Sequence, residues 1–452
     1  IVFGKCCLFI TFVTKVYSEM EYYSTKQPDF TVSMREAVTA CVPQAGGLYM
    51  PSALPSIPKA FIHNMTDMSL REIAYATTNV FLGEDLDSSE IKSVIDKSLS
   101  FETPLIEIGH DIYALELFHG PTKVFKDFGS RFLAGLFSSL RRDAGEKLNL
   151  LVATTGNTGM AIARAFAGRD DTNVFILFPH GAMSRRDSSL IARSGDNIHA
   201  IEVAGSIDDC KSMIAEAFAD CRLRDGLVLS SANSTNFARL MPQVALFFYA
   251  VGRLRALGVS TGDVDLAVPS GNLGMLASGL MARRIGLECG SLIGACNSNN
   301  AFDRYLKTGV FVPHATIKTY ATLMDMASPS NLPRLMALSN NNLDLLRRDV
   351  RSATIGDDMI AATIRSIYDT TGYVADPHTA VGIAALGLRV NSRRPGLVFA
   401  TAHPSRSSAV LSSILGKDVV PPGDDNDIRS AAHPDRLPPT YPAFRKYLLS
   451  NQ

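Results

Sequence analysis

The stretch LFHGPTKVFKDFGSRF, residues 117–132, sets two lysines, Lys123 and Lys126, among Phe118, Phe125, Phe128 and Phe132 behind a His-Gly-Pro turn. A lysine amine is a nucleophile only when neutral, and an apolar collar favours that form because the ammonium is the species that loses hydration. The bland alternative is a side chain that lays its methylenes along apolar surface and keeps its charge in water. Local composition leaves both readings open for Lys126. Lys123, flanked by Thr122 and Val124, fits the bland one.

Two glycine-containing turns stand where an apolar strand pattern gives way to a helical one. The first is VATTGNTGMAIARAF (152–166), with Thr154, Thr155, Gly156, Asn157 and Thr158 in the turn; the second is LAVPSGNLGMLASGL (266–280), with Ser270, Gly271, Asn272, Leu273 and Gly274. Such loops aim several backbone N–H groups and the positive end of a helix at one point, which favours a phosphate or a carboxylate. Neither matches the dinucleotide fingerprint or the P-loop. Each alone is equally well a Gly turn with a Ser/Thr/Asn cap. The pair, with a lysine in an apolar collar, fits a ligand carrying two separate negative groups near a reactive amine. Pyridoxal phosphate needs that combination: a Schiff-base lysine, a phosphate cup and a partner for the pyridine nitrogen.

The elements that must position these residues recur along the chain. Apolar runs at 149–154, 174–178, 198–203, 227–231, 264–270, 291–296 and 396–402 read as strands, and amphipathic stretches such as GMAIARAFAG, DDCKSMIAEAFADCRLR and HTAVGIAALGLRV separate them. Near-continuous apolar strands alternating with helices indicate an α/β fold whose parallel sheets are covered on both faces. Residues 20–100 carry helical patterns around a Pro-rich connection and are expected to form a helical N-terminal domain. The Pro- and Asp-rich end, 421–452, is expected to be an irregular tail. The first residues, IVFGKCCLFITFVTKVYSE (1–19), are expected to be an extraneous or leader-like segment, with Met20 a natural start.

Composition narrows the function. The 452 residues are 46% hydrophobic, and 44 Lys+Arg balance 44 Asp+Glu. The balance lacks the basic footprint of a nucleic-acid or anionic-membrane binder, so a small-molecule function is expected. Seven scattered cysteines without a Cys-x-x-Cys pair read as free thiols in a reducing compartment, the cytoplasm. Nine dispersed histidines offer no metal-ligand spacing, so no metal is expected.

HGPTKVFKDF resembles the His-Gly-Pro-Thr-x-x-Phe-Lys-Asp-Phe segment of the threonine synthase family, within the tryptophan-synthase-β-like group of pyridoxal-phosphate enzymes. Collinear blocks extend the resemblance from about residue 20 to the end: GGLYMP (46–51), ATTGNTG (153–159), SSANSTNFARL (230–240), VPSGNLG (268–274), NSNNAFDRYLKTG (297–309), MDMASPSNLPRL (324–335), GYVADPHTAVG (372–382) and TAHPSR (401–406). The resemblance implies a fold type II enzyme with two parallel-type open sheets. The large cofactor-binding domain would come from 101–148 and 261–420, and a smaller α/β domain with the substrate loop from 149–260. It implies Lys126 as catalytic residue and cofactor anchor. Gly271, Asn272, Leu273, Gly274 and Met275 would form the phosphate cup, and the Thr401 hydroxyl would meet the pyridine nitrogen. Thr154, Thr155, Gly156, Asn157 and Thr158 would bind the substrate carboxylate or cover the ring.

The chain departs from the family where the loop commonly reads Ser-Gly-Asp-Thr-Gly: Asn157 replaces the carboxylate. It departs again at His180–Ser184, where Arg185 and Arg186 follow instead of cations within the motif. The implied activity is conversion of O-phospho-L-homoserine and water to L-threonine and phosphate by a monomer or homodimer. A phospho-lyase on the same fold and a non-catalytic pyridoxal-phosphate-binding module remain as alternatives. His119, His378 and His403 are expected to be structural, and Asp376 a helix cap.

Overall fold

The computed structural model describes residues 20–82, 85–389, 394–419 and 432–452. The segment expected to be leader-like, 1–19, lies outside them. Fourteen strands are described: β1 (Glu21–Ser24), β2 (Gln27–Ser33), β3 (Tyr49–Pro51), β4 (Leu105–Gly109), β5 (Ile112–Glu116), β6 (Leu148–Ala153), β7 (Thr172–Pro179), β8 (Ile198–Val203), β9 (Val228–Ser230), β10 (Asp265–Pro269), β11 (Leu292–Cys296), β12 (Val350–Thr354), β13 (Gly396–Ala400) and β14 (Asp435–Leu437). The helices that matter most for the site are α1 (Ser88–Ser98), α2 (Lys126–Leu140), α3 (Asn157–Phe166), α4 (Arg185–Ala192), α5 (Met241–Ala256) and α6 (Gly274–Arg284).

The fold is α/β with two open sheets. One has the order β12-β11-β10-β13-β5-β4, parallel except for the antiparallel β4–β5 pair at its edge; the other is all parallel, β14-β8-β7-β6-β9. All residues of β11 and β13 are buried, as are all but the last of β6, β7 and β10. Continuous burial follows from helices on both faces, which is why these strands read as unbroken apolar runs.

Two expectations are corrected. The N-terminal region is not purely helical: β1, β2 and β3 form a three-stranded antiparallel sheet beside its helices. Of the expected irregular tail, 421–431 lie outside the described residues, and 432–452 are not irregular. They supply β14 in register with β8, Asp435 opposite Ile201, and a helix, Tyr441–Ser450, that buries Phe444 and Leu448.

The phenylalanines of the opening motif explain why α2 is a core helix. Phe128 and Phe132 are fully buried, and Phe128 meets Phe101 edge-on with ring centroids 4.6 Å apart. Each ring buried this way stabilises the fold by about 1.5–3 kcal/mol, so α2 is anchored along its length behind Lys126. Gly129 lets α2 approach the segment that precedes α5: a Cβ there would stand 2.7 Å from the Arg239 carbonyl oxygen. Alanine ordinarily stabilises a helix by about 1 kcal/mol relative to glycine. Here the close approach reverses the sign, and Gly129→Ala is expected to cost ~2 kcal/mol, read as a lower urea midpoint at unchanged slope.

Candidate functional site

Three adjacent parallel strands, β10, β13 and β5, deliver the expected residues to one edge of the six-stranded sheet. The Ser270–Gly274 turn follows β10, Thr401 follows β13, and the segment leading to Lys126 follows β5. The last two are joined by a seam of backbone bonds: Leu117 N to Ala400 O (2.9 Å), Phe125 N to Thr401 O (2.9 Å) and His403 N to Lys123 O (3.0 Å), with an antiparallel bridge between Val124 and Ala402. Lys123 takes a left-handed φ of 59° to turn the chain into this seam, and its side chain is exposed. Its main chain, not its amine, serves the site.

Lys126 opens α2, and its Nζ donates to Thr158 Oγ1 at 2.9 Å. Burial, followed by the nearby Arg239 guanidinium, pulls its pKa down from the ordinary lysine value to about 8. The amine therefore does not snorkel: it is turned inward onto a hydroxyl of the other sheet's loop. Asp127, next in sequence, turns elsewhere, accepting from Thr122 N (2.9 Å) and Thr122 Oγ1 (2.8 Å). Burial raises its pKa, against the hydrogen bonds from Thr122. Gly120 allows this closure, since a Cβ there would lie 2.5 Å from the Asp127 carboxylate.

The second turn forms a cup at the start of α6. Leu273 is left-handed, φ 65°, and a Cβ on Gly271 would stand 2.9 Å from Met324 Cα. Asn272 Oδ1 accepts from Gly274 N (3.1 Å), and its Nδ2 donates to Ser234 Oγ (2.6 Å). The first α6 bond runs from Ala277 N to Leu273 O (2.9 Å), so the N–H groups of Met275 and Leu276 have no acceptor within the helix. Behind the cup, Asn331 donates from its N and Nδ2 to Asn272 O at 3.2 Å each.

The first turn is built differently. Gly156, φ 152°, precedes α3, and Thr154 Oγ1 accepts from Gly156 N (3.0 Å) and Gly159 N (3.1 Å). Thr154 thus shapes the loop, while Thr155 is exposed and Asn157 buried. Thr158 faces Lys126 across the gap between the sheets.

Two buried arginines hold the rest in place, and neither was singled out in the sequence. Arg334, fully buried, donates to the carbonyls of Ser234 (2.7 Å), Thr235 (2.6 Å) and Tyr49 and to Asn331 Oδ1 (2.6 Å). Burial pulls its pKa down to about 10, as it does for Arg239, which donates to Ala232 O at 2.8 Å. Buried, uncharged main-chain partners at large sequence separation leave no local pattern, so only their membership of SSANSTNFARL and MDMASPSNLPRL hinted at them. The three histidines and Asp376 all have side-chain partners in the structure. His378 Nδ1 meets the Asp376 carboxylate at 2.5 Å while its Nε2 accepts from Leu323 N (3.1 Å), and Asp376 caps the helix Pro377–Gly387. His403 accepts from Ser405 N, and His119 pairs with Glu116 at 2.8 Å.

Residues 99–398 match the family described as pyridoxal-phosphate dependent enzyme, and residues 21–99 match the threonine synthase N terminus. The threonine synthase of Escherichia coli K12 is 33% identical over 437 residues, 96% of this chain and 100% of that protein. That of Serratia marcescens is 32% identical over 434 residues, 95% of this chain and 99% of that protein. Among solved structures, Escherichia coli threonine synthase matches with a TM-score of 0.88 at 32% identity, over 96% of this chain and 100% of the other. The pyridoxal-phosphate-bound threonine synthase of Brucella melitensis matches with a TM-score of 0.87 at 29% identity, over 96% and 99%.

The lowered pKa of Lys126 has a direct readout. Because burial disfavours the ammonium, the neutral amine appears at lower pH than on an exposed lysine. In protein freed of bound aldehyde, reductive methylation of Lys126 followed by mass spectrometry is expected to half-rise near about 8, against about 10.4 for exposed lysines. Arg239→Gln removes a neighbouring positive charge and is expected to move that midpoint upward.

Proposed function

The chain belongs to the threonine synthase family of pyridoxal-phosphate-dependent enzymes, and from that premise we propose that it converts O-phospho-L-homoserine and water to L-threonine and phosphate. The observation that carries the reading is Lys126 itself, an inward-turned amine of lowered pKa whose Nζ donates to Thr158 beside the first glycine turn.

The residues present suit the cofactor. The cup of Gly271, Asn272, Leu273, Gly274 and Met275 has no room for a Cβ on Gly271 and offers unpaired N–H groups at a helix N-terminus, a setting for a phosphate dianion. Lys126 would anchor the cofactor's aldehyde carbon. The buried Thr401 would present a hydroxyl, not a carboxylate, to the pyridine nitrogen. When bound, pyridoxal phosphate supplies an electron sink for negative charge developing on the substrate.

Lys126 then acts as the proton carrier. With its amine free, Nζ would take the proton from the substrate's α-carbon. Loss of a proton from the β-carbon expels the phosphate from the γ-carbon. Lys126 would serve these positions as base and acid, return a proton to the γ-carbon and assist addition of water at the β-carbon. Thr158 Oγ1, at 2.9 Å, orients the amine between transfers. The loop from Thr154 to Thr158 would receive the substrate carboxylate, with Thr154, Gly156 and the buried Asn157 shaping it and the side chains of Thr155 and Thr158 left to meet the ligand. The five described cysteines are unpaired, which supports a reducing, cytoplasmic setting for this monomer or homodimer.

Lys126→Ala is expected to abolish turnover and the near-visible absorbance of lysine-bound pyridoxal phosphate, while Lys123→Ala keeps both. Incubation of the purified enzyme with O-phospho-L-homoserine should release threonine and phosphate in equal amounts. Release of 2-oxobutanoate in place of threonine would overturn the reading in favour of a phospho-lyase.

A further inference from the structure

Arg406 lies in the short turn Pro404–Ser407 after β13, on the side of the six-stranded sheet. Its guanidinium nevertheless reaches the other sheet. Nη2 donates to Asn157 Oδ1, and Nη1 and Nη2 each stand 3.4 Å from an oxygen of Asp187, which lies in the first turn of α4. Both charged side chains are mostly buried, at 24% and 20% exposure, and Asn157 is 5% exposed. Asn157 immediately precedes Thr158, the residue whose hydroxyl accepts from Lys126. A continuous chain of contacts therefore runs from Asp187 through Arg406 and Asn157 to the hydroxyl that orients the amine.

From this geometry we infer that Arg406 is a positioning residue for the reaction: anchored by Asp187, it holds Asn157 and thereby sets Thr158 Oγ1 against Lys126 Nζ across the gap between the two sheets. The inference rests on the reading of Lys126 as the reacting amine. Its chemical logic is one of charge placement. A guanidinium removed from water needs a carboxylate, and the loop offers only the amide of Asn157. Asp187 supplies the charge from a neighbouring helix, so the loop next to Lys126 stays neutral. An Asp at 157 would satisfy Arg406 equally well but would put a negative charge beside the amine.

The bland alternative is an ordinary ion pair between lobes, which would contribute only stability. Kinetics separate the two. In the holoenzyme, Asp187→Asn is expected to lower kcat about tenfold with KM changed far less, since one charge-assisted contact is removed from an orienting group. Asp187→Glu keeps a carboxylate for the same guanidinium and is expected to retain most of the activity. Arg406→Lys is not expected to substitute, because a point charge cannot span two acceptors. Amide hydrogen exchange at Asn157–Met160 gives a readout independent of the substrate. It should quicken in Asp187→Asn and stay near the unsubstituted rate in Asp187→Glu. An Asp187→Asn enzyme with a lower melting temperature but unchanged kcat, KM and local exchange would overturn the inference. Failure of the unsubstituted enzyme to form threonine would instead overturn the functional reading, leaving the exchange result to judge the contact on its own.

Discussion

The site depends on keeping a cation without a counter-ion. An ion pair with a carboxylate would favour the ammonium of Lys126 and raise its pKa. Asp127 is the obvious candidate, one residue away, yet consecutive helical residues point about 100° apart. Its carboxylate is committed to Thr122, in a space kept open by Gly120. The groups around the amine include instead a threonine hydroxyl at 2.9 Å, the Phe125 ring at 6.0 Å to its centroid, and the guanidinium of Arg239, a second positive charge. These leave the neutral amine accessible.

That arrangement requires two chain segments far apart in sequence to be held to within tenths of an ångström. The parallel order β10-β13-β5 brings the ends of three strands side by side, and the seam from Leu117 to Lys123 against Ala400 to His403 locks the lysine segment to the strand between the other two. The cup is fixed from behind by Ser234 and Asn331, and these in turn by Arg334. Arg334 is costly to bury, but its donors meet main-chain carbonyls whose own desolvation would otherwise be uncompensated. One side chain thus ties the loop at 234–235, the strand at Tyr49 and the helix at 331–334 into a single support for the cup.

How legible this was depended on whether a feature is local. All seven strands read from apolar runs are present, because strands buried on both faces carry the pattern in their own residues. Seven described strands were not read, among them β5, an interior strand of only five residues, and several that are short, exposed or of mixed character. β12 is Val-Arg-Ser-Ala-Thr with only its first residue buried; β14 has three residues, none buried; β1 has only four residues; and β2 buries only Val32 of its seven. The C-terminal helix escaped notice because Pro and Asp precede it, although its Phe444 and Leu448 pack on the five-stranded sheet's core. In the site, the glycine turns and Lys126 were legible because backbone shape and amine chemistry leave residue-type signatures. Arg334 was not: it bonds Tyr49 across 285 residues, a relation that no local spacing encodes.

The choice of hydroxyls around the lysine also follows from what a proton carrier must do. The amine has to give up its proton to become a nucleophile or base, and regain one to act as an acid. A pKa near 8 keeps both forms within reach close to neutral pH, where general acid and base catalysis is most effective. A carboxylate partner would hold the proton too firmly, and an apolar wall would leave the amine free to rotate out of line. Thr158 accepts from Nζ while the lysine is protonated and can donate to it once it is neutral, so one contact orients both states. The amide at Asn157 belongs to the same logic: the carboxylates near this amine, Asp127 against Thr122 and Asp187 against Arg406, are engaged where they steady the scaffold without claiming the proton.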